Sequence, residues 1–356
     1  MPKVYDPSEV YQEHVHGKVL IYLDNMVWIE FADQEKSAKN DFITEVLEAC
    51  KAAKSTQKVL FPISWASIHE VNNNKNLNAK LAQARIMDKL SDGVIFRNSD
   101  IIYNKELDSS IVWLLTGIYY PLELNKIFSY PIDFISDFSI DPYKESFLAK
   151  EIAQWQTHHV KKFLPLRSLE YLLDSGLLQE IQKNYDESKE NYERNMKNTL
   201  LNNPKPNDFQ MALRKEYSQV LKEKIFPEFE KFSKELLVIG KLDLEKYKES
   251  KSNLEECIMG KNWSWLCNFM SKMPALNLFC HFMANRTRNS EKKVTFNDFY
   301  DVEHACSAAA YADYIVTENH VADLLENVFK TVKKKVKVIR AGKLEDLTSV
   351  CQSLTN

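Results

Sequence analysis

Apolar residues fall in short blocks near the two ends of the chain and at helical spacing between them. Val19-Leu-Ile-Tyr-Leu23 is a run of five apolar or aromatic residues followed at once by Asp24. The run is too short for a membrane span and too β-branched for an easy helix, so it predicts a buried central strand. Ile43, Val46, Leu47, Cys50 and Ala53 sit at helical spacing and predict an amphipathic helix over 41–54. Val59-Leu-Phe-Pro-Ile-Ser64 reads as a second strand, shortened or made irregular by Pro62. Ser64 can cap a helix starting near Trp65, with Glu70 about one and a half turns inside it. Strand-then-helix units repeated this way imply a parallel sheet with crossover helices.

From about residue 78 to 290 the pattern becomes helical. Asn72-Asn73-Asn74 and Asn202-Asn203-Pro204-Lys205-Pro206 mark loops,. Residues 180–257 are dense in Lys and Glu, as expected of long solvent-exposed helices laced with i,i+4 pairs. Residues 257–285 are apolar all round, from Trp263 and Trp265 to Phe279 and Phe282, and predict a buried helix pair that gives the insertion a core of its own. The third strand is Tyr314-Ile-Val-Thr317, preceded by a helix whose Ala305, Ala308, Ala309 and Ala312 form a smooth packing face. A helix over 320–332, a strand over 336–339 and a helix near 343–352 close the chain. The expected fold class is α/β: a parallel sheet flanked by helices, built from 18–95 and 290–356 and interrupted by a large all-helical insertion or cap over 96–289.

Composition narrows the chemistry. There are only 7 glycines in 356 residues, well below the ordinary share of ~7%, which disfavours turn-rich all-β folds and glycine-built phosphate loops. A net charge of −3 leaves any polyanion to be bound by a local patch. Lys161-Lys162, Arg167, Arg214-Lys215 and Arg286 with Arg288 are the basic spots able to touch phosphate. The six cysteines lack both the paired spacing of a zinc site and the density of a disulfide scaffold. The first residues carry no basic-then-apolar signal and no run approaches ~18 apolar residues, so a cytoplasmic protein with no membrane partner is expected.

Acidic residues recur where strands end. Asp24 follows the first strand and Glu318 the third, and ligands of open α/β sheets bind just beyond the carboxyl ends of strands. Asp24 is either the cap of the next helix or a metal ligand. Asp298, Asp301 and His304 share one side of the alanine-faced helix at spacings of three and four, while Glu303, ~200° from Asp301 on the wheel, faces solvent.

These residues carry a family resemblance. Tyr22-Leu-Asp24-Asn-Met-Val-Trp-Ile29, Ile63-Ser64 with His69-Glu70-Val71, Asn297-Asp298-Phe-Tyr-Asp301-Val302 with His304, and Tyr311-Ala-Asp313-Tyr-Ile-Val-Thr317-Glu318 resemble the successive acidic motifs of PIN-like domains. The resemblance covers about 18–75 and 293–340. It implies a metal-dependent nuclease, many relatives of which cleave RNA and several of which act as toxins or defence effectors. Asp24, Glu70 and Asp301 would be the core carboxylates, and Asp313 and Glu318 resemble the last acidic positions. Many PIN-like domains carry an aspartate two residues after the strand-end threonine, where this chain has Asn319, with Glu318 one residue early. The family's compact members also lack anything like 96–289.

The chemistry agrees with that resemblance. Phosphodiester hydrolysis needs an activated water, neutralised phosphate charge and a stabilised leaving oxygen, and one or two Mg²⁺ or Mn²⁺ ions serve all three. Such hard cations take carboxylate oxygens, which suits acidic residues without cysteine. The expected activity is a nuclease leaving a 5′-phosphate and a 3′-hydroxyl, with Asp24, Glu70, Asp301 and Glu318 catalytic. Asp24, Glu70, Asp301, Asp313 and Glu318 are the metal-ligand candidates, and Asp298, His304, Thr317 and Asn319 are accessory. Nucleic acid, RNA favoured over DNA, is the expected partner, and the insertion offers a surface for a regulatory protein or a second copy. The competing reading is a catalytically inactive PIN-like scaffold whose insertion recruits a partner.

Overall fold

Asp24 hangs from the end of the central strand of a parallel sheet, and the chain reaches that sheet from both of its ends. The structure, a computed structural model, describes residues 11–37, 40–131, 168–174, 208–288, 296–330 and 336–355, with 178, 190, 194 and 332 as single positions. Six strands are described: β1 (Val19–Leu23), β2 (Val59–Leu60), β3 (Ile95–Phe96), β4 (Phe128–Ser129), β5 (Tyr314–Thr317) and β6 (Lys337–Arg340). Four make a parallel sheet in the order β2-β1-β5-β6. β1 is the run of five apolar residues read from sequence, and it is buried from Leu20 to Leu23, as a strand covered on both faces must be.

The second strand stops two residues in. Beyond Leu60 the chain makes only a single parallel bridge, Ile63 to Ile95, because Pro62 has no N–H to give to a ladder. Strands β3 and β4 pair antiparallel. Phe128–Ser129 lies inside 96–289, so that stretch is not all-helical as expected. Two-residue strands carry no periodicity, and tertiary pairing alone defines them.

Helices pack on the sheet and on one another. They are α1 (Asn25–Ser37), α2 (Asp41–Ser55), α3 (Trp65–Asn72), α4 (Leu77–Ser91), α5 (Ser99–Thr116) and α6 (Leu169–Asp174), then α7 (Phe209–Val220), α8 (Phe226–Val238) and α9 (Leu244–Ile258). α10 (Trp263–Met270), α11 (Pro274–Arg288), α12 (Phe296–Tyr311), α13 (Asn319–Phe329) and α14 (Leu344–Thr355) complete the α-helices among the described residues. The sequence expectation for α2 holds to one residue, and Ile43, Val46, Leu47, Cys50 and Ala53 are its buried face. The Lys/Glu-rich helices are laced as expected, with Glu230 paired to Lys234 and Lys251. No described helix is long and apolar enough to cross a membrane.

The described part of 96–289 does not keep a core to itself. One apolar cluster runs continuously from Val15 through Leu107, Phe269 and Leu278 to Cys351. A buried carboxylate seals that union. Glu106 on α5, 1% exposed, accepts the N–H groups of Ala275 and Leu276 at 2.8 and 3.0 Å, donors that the first turn of α11 cannot satisfy within itself. The hydroxyl of Tyr311, at the end of α12, donates to the same carboxylate. Glu106 therefore joins α5, α11 and α12 through one group. Replacing Glu106 with Ala strands two buried N–H groups and a phenol, and should cost about 3 kcal/mol in urea denaturation. Tyr311→Phe, which removes a single donor, should cost about 1 kcal/mol.

Candidate active site

The candidate site lies where the connections diverge. The chain leaves β1 towards β2 on one side and leaves β5 towards β6 on the other, so a crevice opens beyond the carboxyl ends of the two central strands. Leu23 pairs with Val316, and the Asp24 N–H donates to the Val316 carbonyl at 2.9 Å. That register sets Asp24 beside Thr317. The Thr317 hydroxyl donates to Asp24 Oδ2 at 2.7 Å, in a buried contact. The Asp24 carbonyl meanwhile starts α1, accepting from the Val27 N–H at 3.0 Å. Asp24 is only 9% exposed, and its side chain has one oxygen committed to the neighbouring strand.

Beneath α3 lies a hydroxyl cluster. Ser64 caps α3 by accepting the Ser67 N–H at 3.0 Å, and Tyr22 donates to Ser64 at 3.0 Å. Burial raises the Tyr22 hydroxyl well above its ordinary range; Asp24 and, more weakly, Glu70 push the same way, against hydrogen bonds to Ser64 and Ser67. Glu70, half-buried on α3, thus lies within electrostatic reach of the strand that carries Asp24.

Glu318 gathers the carboxylates. Burial raises its carboxyl above the ordinary range, and the charge of Asp24 adds to the shift; His320 opposes it, while Asp301 and Glu70 raise it further. Four carboxylates from β1, α3, α12 and the β5 end therefore share one field. His320, in the first turn of α13, lies between two of them, with Nε2 at 2.7 Å from Asp301 Oδ2 and Nδ1 at 3.3 Å from Glu318 Oε2.

Other expected site residues fall elsewhere. Asp313 stands at the opposite end of β5 from Glu318, roughly 17 Å away along a strand rising about 3.3 Å per residue. Its Oδ2 accepts the Leu20 N–H at 2.8 Å, while its own N–H donates to the Leu20 carbonyl at 2.9 Å. It is a clamp between β1 and β5, not a member of the carboxylate group. Asn319 is exposed, and its carbonyl accepts from Arg340 at 3.3 Å. Arg340 is in turn held by Asp323 and Glu326 of α13 at 2.8 and 2.9 Å. The side chains of Asp298 and His304 lie outside the described residues, as do Lys161, Lys162 and Arg167. Arg214 lies over the Trp263 ring at 4.9 Å.

The donors suit a hard divalent cation, since every carboxylate brought together offers oxygen. Their placement does not close on one. Among the described residues, no three His, Cys, Asp or Glu side chains stand together as a group able to hold a metal ion. Asp24 has an oxygen on Thr317, and Asp301 is on His320.

No family model, no curated protein and no solved structure matches the chain. What the site does must therefore be argued from its own geometry.

His320 was missed in the sequence because no pattern flags it. Its partner on α12 is nineteen residues away, and the signal, a histidine two positions after a strand-end carboxylate, is weak alone. For Asp313, the clamp geometry gives a direct check. Asp313→Ala should lower stability by about 1 kcal/mol in urea denaturation, by the same amount in Mn²⁺ as in EDTA.

Proposed function

We propose that the chain is a metal-dependent nuclease that hydrolyses phosphodiester bonds, RNA in preference to DNA, with Mg²⁺ or Mn²⁺ as its cation. The observation that carries this reading is that Asp24, Glu70 and Asp301 all act on Glu318, adding to the burial that raises its carboxyl above the ordinary range. Carboxylates drawn together without a cation repel one another, and shifted carboxyl groups in a cleft cluster at functional sites. Their position beyond the central strands, at the divergence of two connections, is where α/β sheets bind ligands.

Asp24, Glu70, Asp301 and Glu318 would hold the cation, with Thr317 fixing the rotation of the Asp24 carboxylate through its hydroxyl. Asp313 has no part in this assignment. The preference for RNA, and a role as toxin or defence effector, rest on the resemblance of the acidic motifs to PIN-like domains alone. The described helices of 99–288 would then form one wall beside the site, open to a regulator or a second copy.

The unclosed ligand set favours one rival, a PIN-like scaffold without catalysis. The two separate in one assay. Purified protein is incubated with RNA and with DNA in Mg²⁺ and in Mn²⁺, beside Asp24→Asn. A nuclease cuts, and the variant should lose at least about 10-fold, since altering even an outer partner of a metal ligand costs about 10- to 100-fold. Cutting undiminished in the variant would mean the site is elsewhere, and no cutting by the wild-type chain would leave the scaffold.

A further inference from the structure

Away from the crevice, one cation stands among aromatic rings without a counter-charge. Lys272 lies in the turn between α10 and α11, and its ammonium is 5.3 Å from the ring centre of Trp113 on α5 and 4.8 Å from that of Tyr119 just beyond α5. Among the described residues no carboxylate is within ion-pair distance of it. Lys251 is the contrast: it too lies over two rings, Phe226 and Tyr247 at 5.7 Å, but it is also paired to Glu230 at 2.9 Å. The rings around Lys272 continue into the core. Trp113 stacks on Phe269 at 6.0 Å and Trp265 on the same Phe269 at 5.3 Å, with planes 28° and 10° apart. Phe269 is fully buried, whereas Trp113, Trp265, Tyr119 and Lys272 are half-buried, and Ile118 and Tyr120 beside Tyr119 are exposed. The turn is held in place, because the Tyr119 hydroxyl donates to the Lys272 carbonyl at 2.8 Å. The patch adjoins Glu106, whose charge reaches Tyr119 and which is bound by Tyr311 of α12. Tyr311 lies about 15 Å along α12 from Asp301.

We propose that this patch binds single-stranded nucleic acid, with a base stacked on Trp113 or Trp265 and the adjoining phosphate paired with Lys272. Both halves of the patch call for the same partner. A half-buried ammonium that lacks a counter-ion is stabilised by an anion, and tryptophan rings left half in solvent are stabilised by a flat apolar group. A nucleotide supplies the two together, and stacking on aromatic rings beside basic side chains is how single strands are held without sequence preference. A phosphate would draw the ammonium towards itself and uncover ring surface for the base. In a duplex the bases are stacked on one another already, so the patch selects single strands. The proposal rests on the nucleic-acid part of the reading above and is independent of any cation. The plainer role for Lys272 is a staple, in which ring contacts alone hold the α10–α11 turn against α5.

The test is fluorescence anisotropy of a dye-labelled, unstructured RNA of about 12 nucleotides, within the span of single-strand sites, titrated with the full chain in EDTA at several salt concentrations. Wild type, Trp113→Ala, Trp113→Phe and Lys272→Met are compared. Trp113→Ala should weaken binding about 5- to 150-fold, the worth of one base on an aromatic ring, and Trp113→Phe should keep most of the affinity. Lys272→Met, which retains an unbranched chain against the rings, should lower the slope of log affinity against log salt by about 0.7, the loss of one phosphate contact on a single strand. Thermal melts check that the variants remain folded, and Lys272→Met decides the matter if Trp113→Ala does not. Affinity and salt slope unchanged in the folded variants would make the patch a staple and overturn the proposal, leaving the nucleic-acid reading intact. Adenosine monophosphate bound as tightly as the RNA would make it a free-nucleotide site, and a duplex of the same sequence bound as tightly would remove the stacking; either overturns the proposal too. No binding by wild type of the RNA or of the matching single-stranded DNA would overturn the nucleic-acid reading and this proposal together.

Discussion

The junction between β1 and β5 is the constraint on which the candidate site depends. These strands come from opposite ends of the chain, and their register, Leu23 opposite Val316, decides which residues share the crevice. In a parallel ladder a slip by one residue turns every side chain to the other face. Two contacts pin the register at its ends. The Asp313 carboxylate takes the Leu20 N–H at one end, and Thr317 donates to Asp24 at the other. With both in place, Asp24 and Glu318 project beyond the same sheet edge.

That junction has to survive a long excursion of the chain between its two strands. Loop length by itself adds little to the cost of closure, since the entropic penalty grows only logarithmically. What matters is that the excursion packs back. The core cluster continues from the sheet through α5, α10 and α11, and Glu106 binds α5 and α11 to Tyr311, three residues before β5 begins. The helices of 99–288 thus position the helix that carries Asp301. The stretch separates the two central strands in sequence, and in packing its described helices support the crevice.

Much of this was legible from residue order, for physical reasons that differ element by element. β1 and β5 announce themselves because a strand buried on both faces must be continuously apolar, and α2 because one face must be. The strand-end carboxylates Asp24 and Glu318 follow from the same logic. β3 and β4 were not legible, since two residues carry no period and only a distant partner makes them strands. The separate core expected for 257–285 failed for a related reason: an apolar face says that it will be covered, not by what. His320 escaped because its meaning lies in the angle between α12 and α13, which spacing along one helix does not encode.

Asp313 and Glu318 show most directly what residue identity leaves undecided. Both are acids bordering one four-residue strand. Asp313 accepts a backbone N–H and stabilises the pairing of two strands. Glu318, at the other end, has its carboxyl raised by burial first and then by the three carboxylates in its field, against His320. The strand is directional, so its amino end meets donors of the neighbouring strand while its carboxyl end opens into the crevice. A carboxylate met by donors is structural. One that faces other carboxylates and an imidazole is short of donors, and burial together with that field raises its carboxyl,.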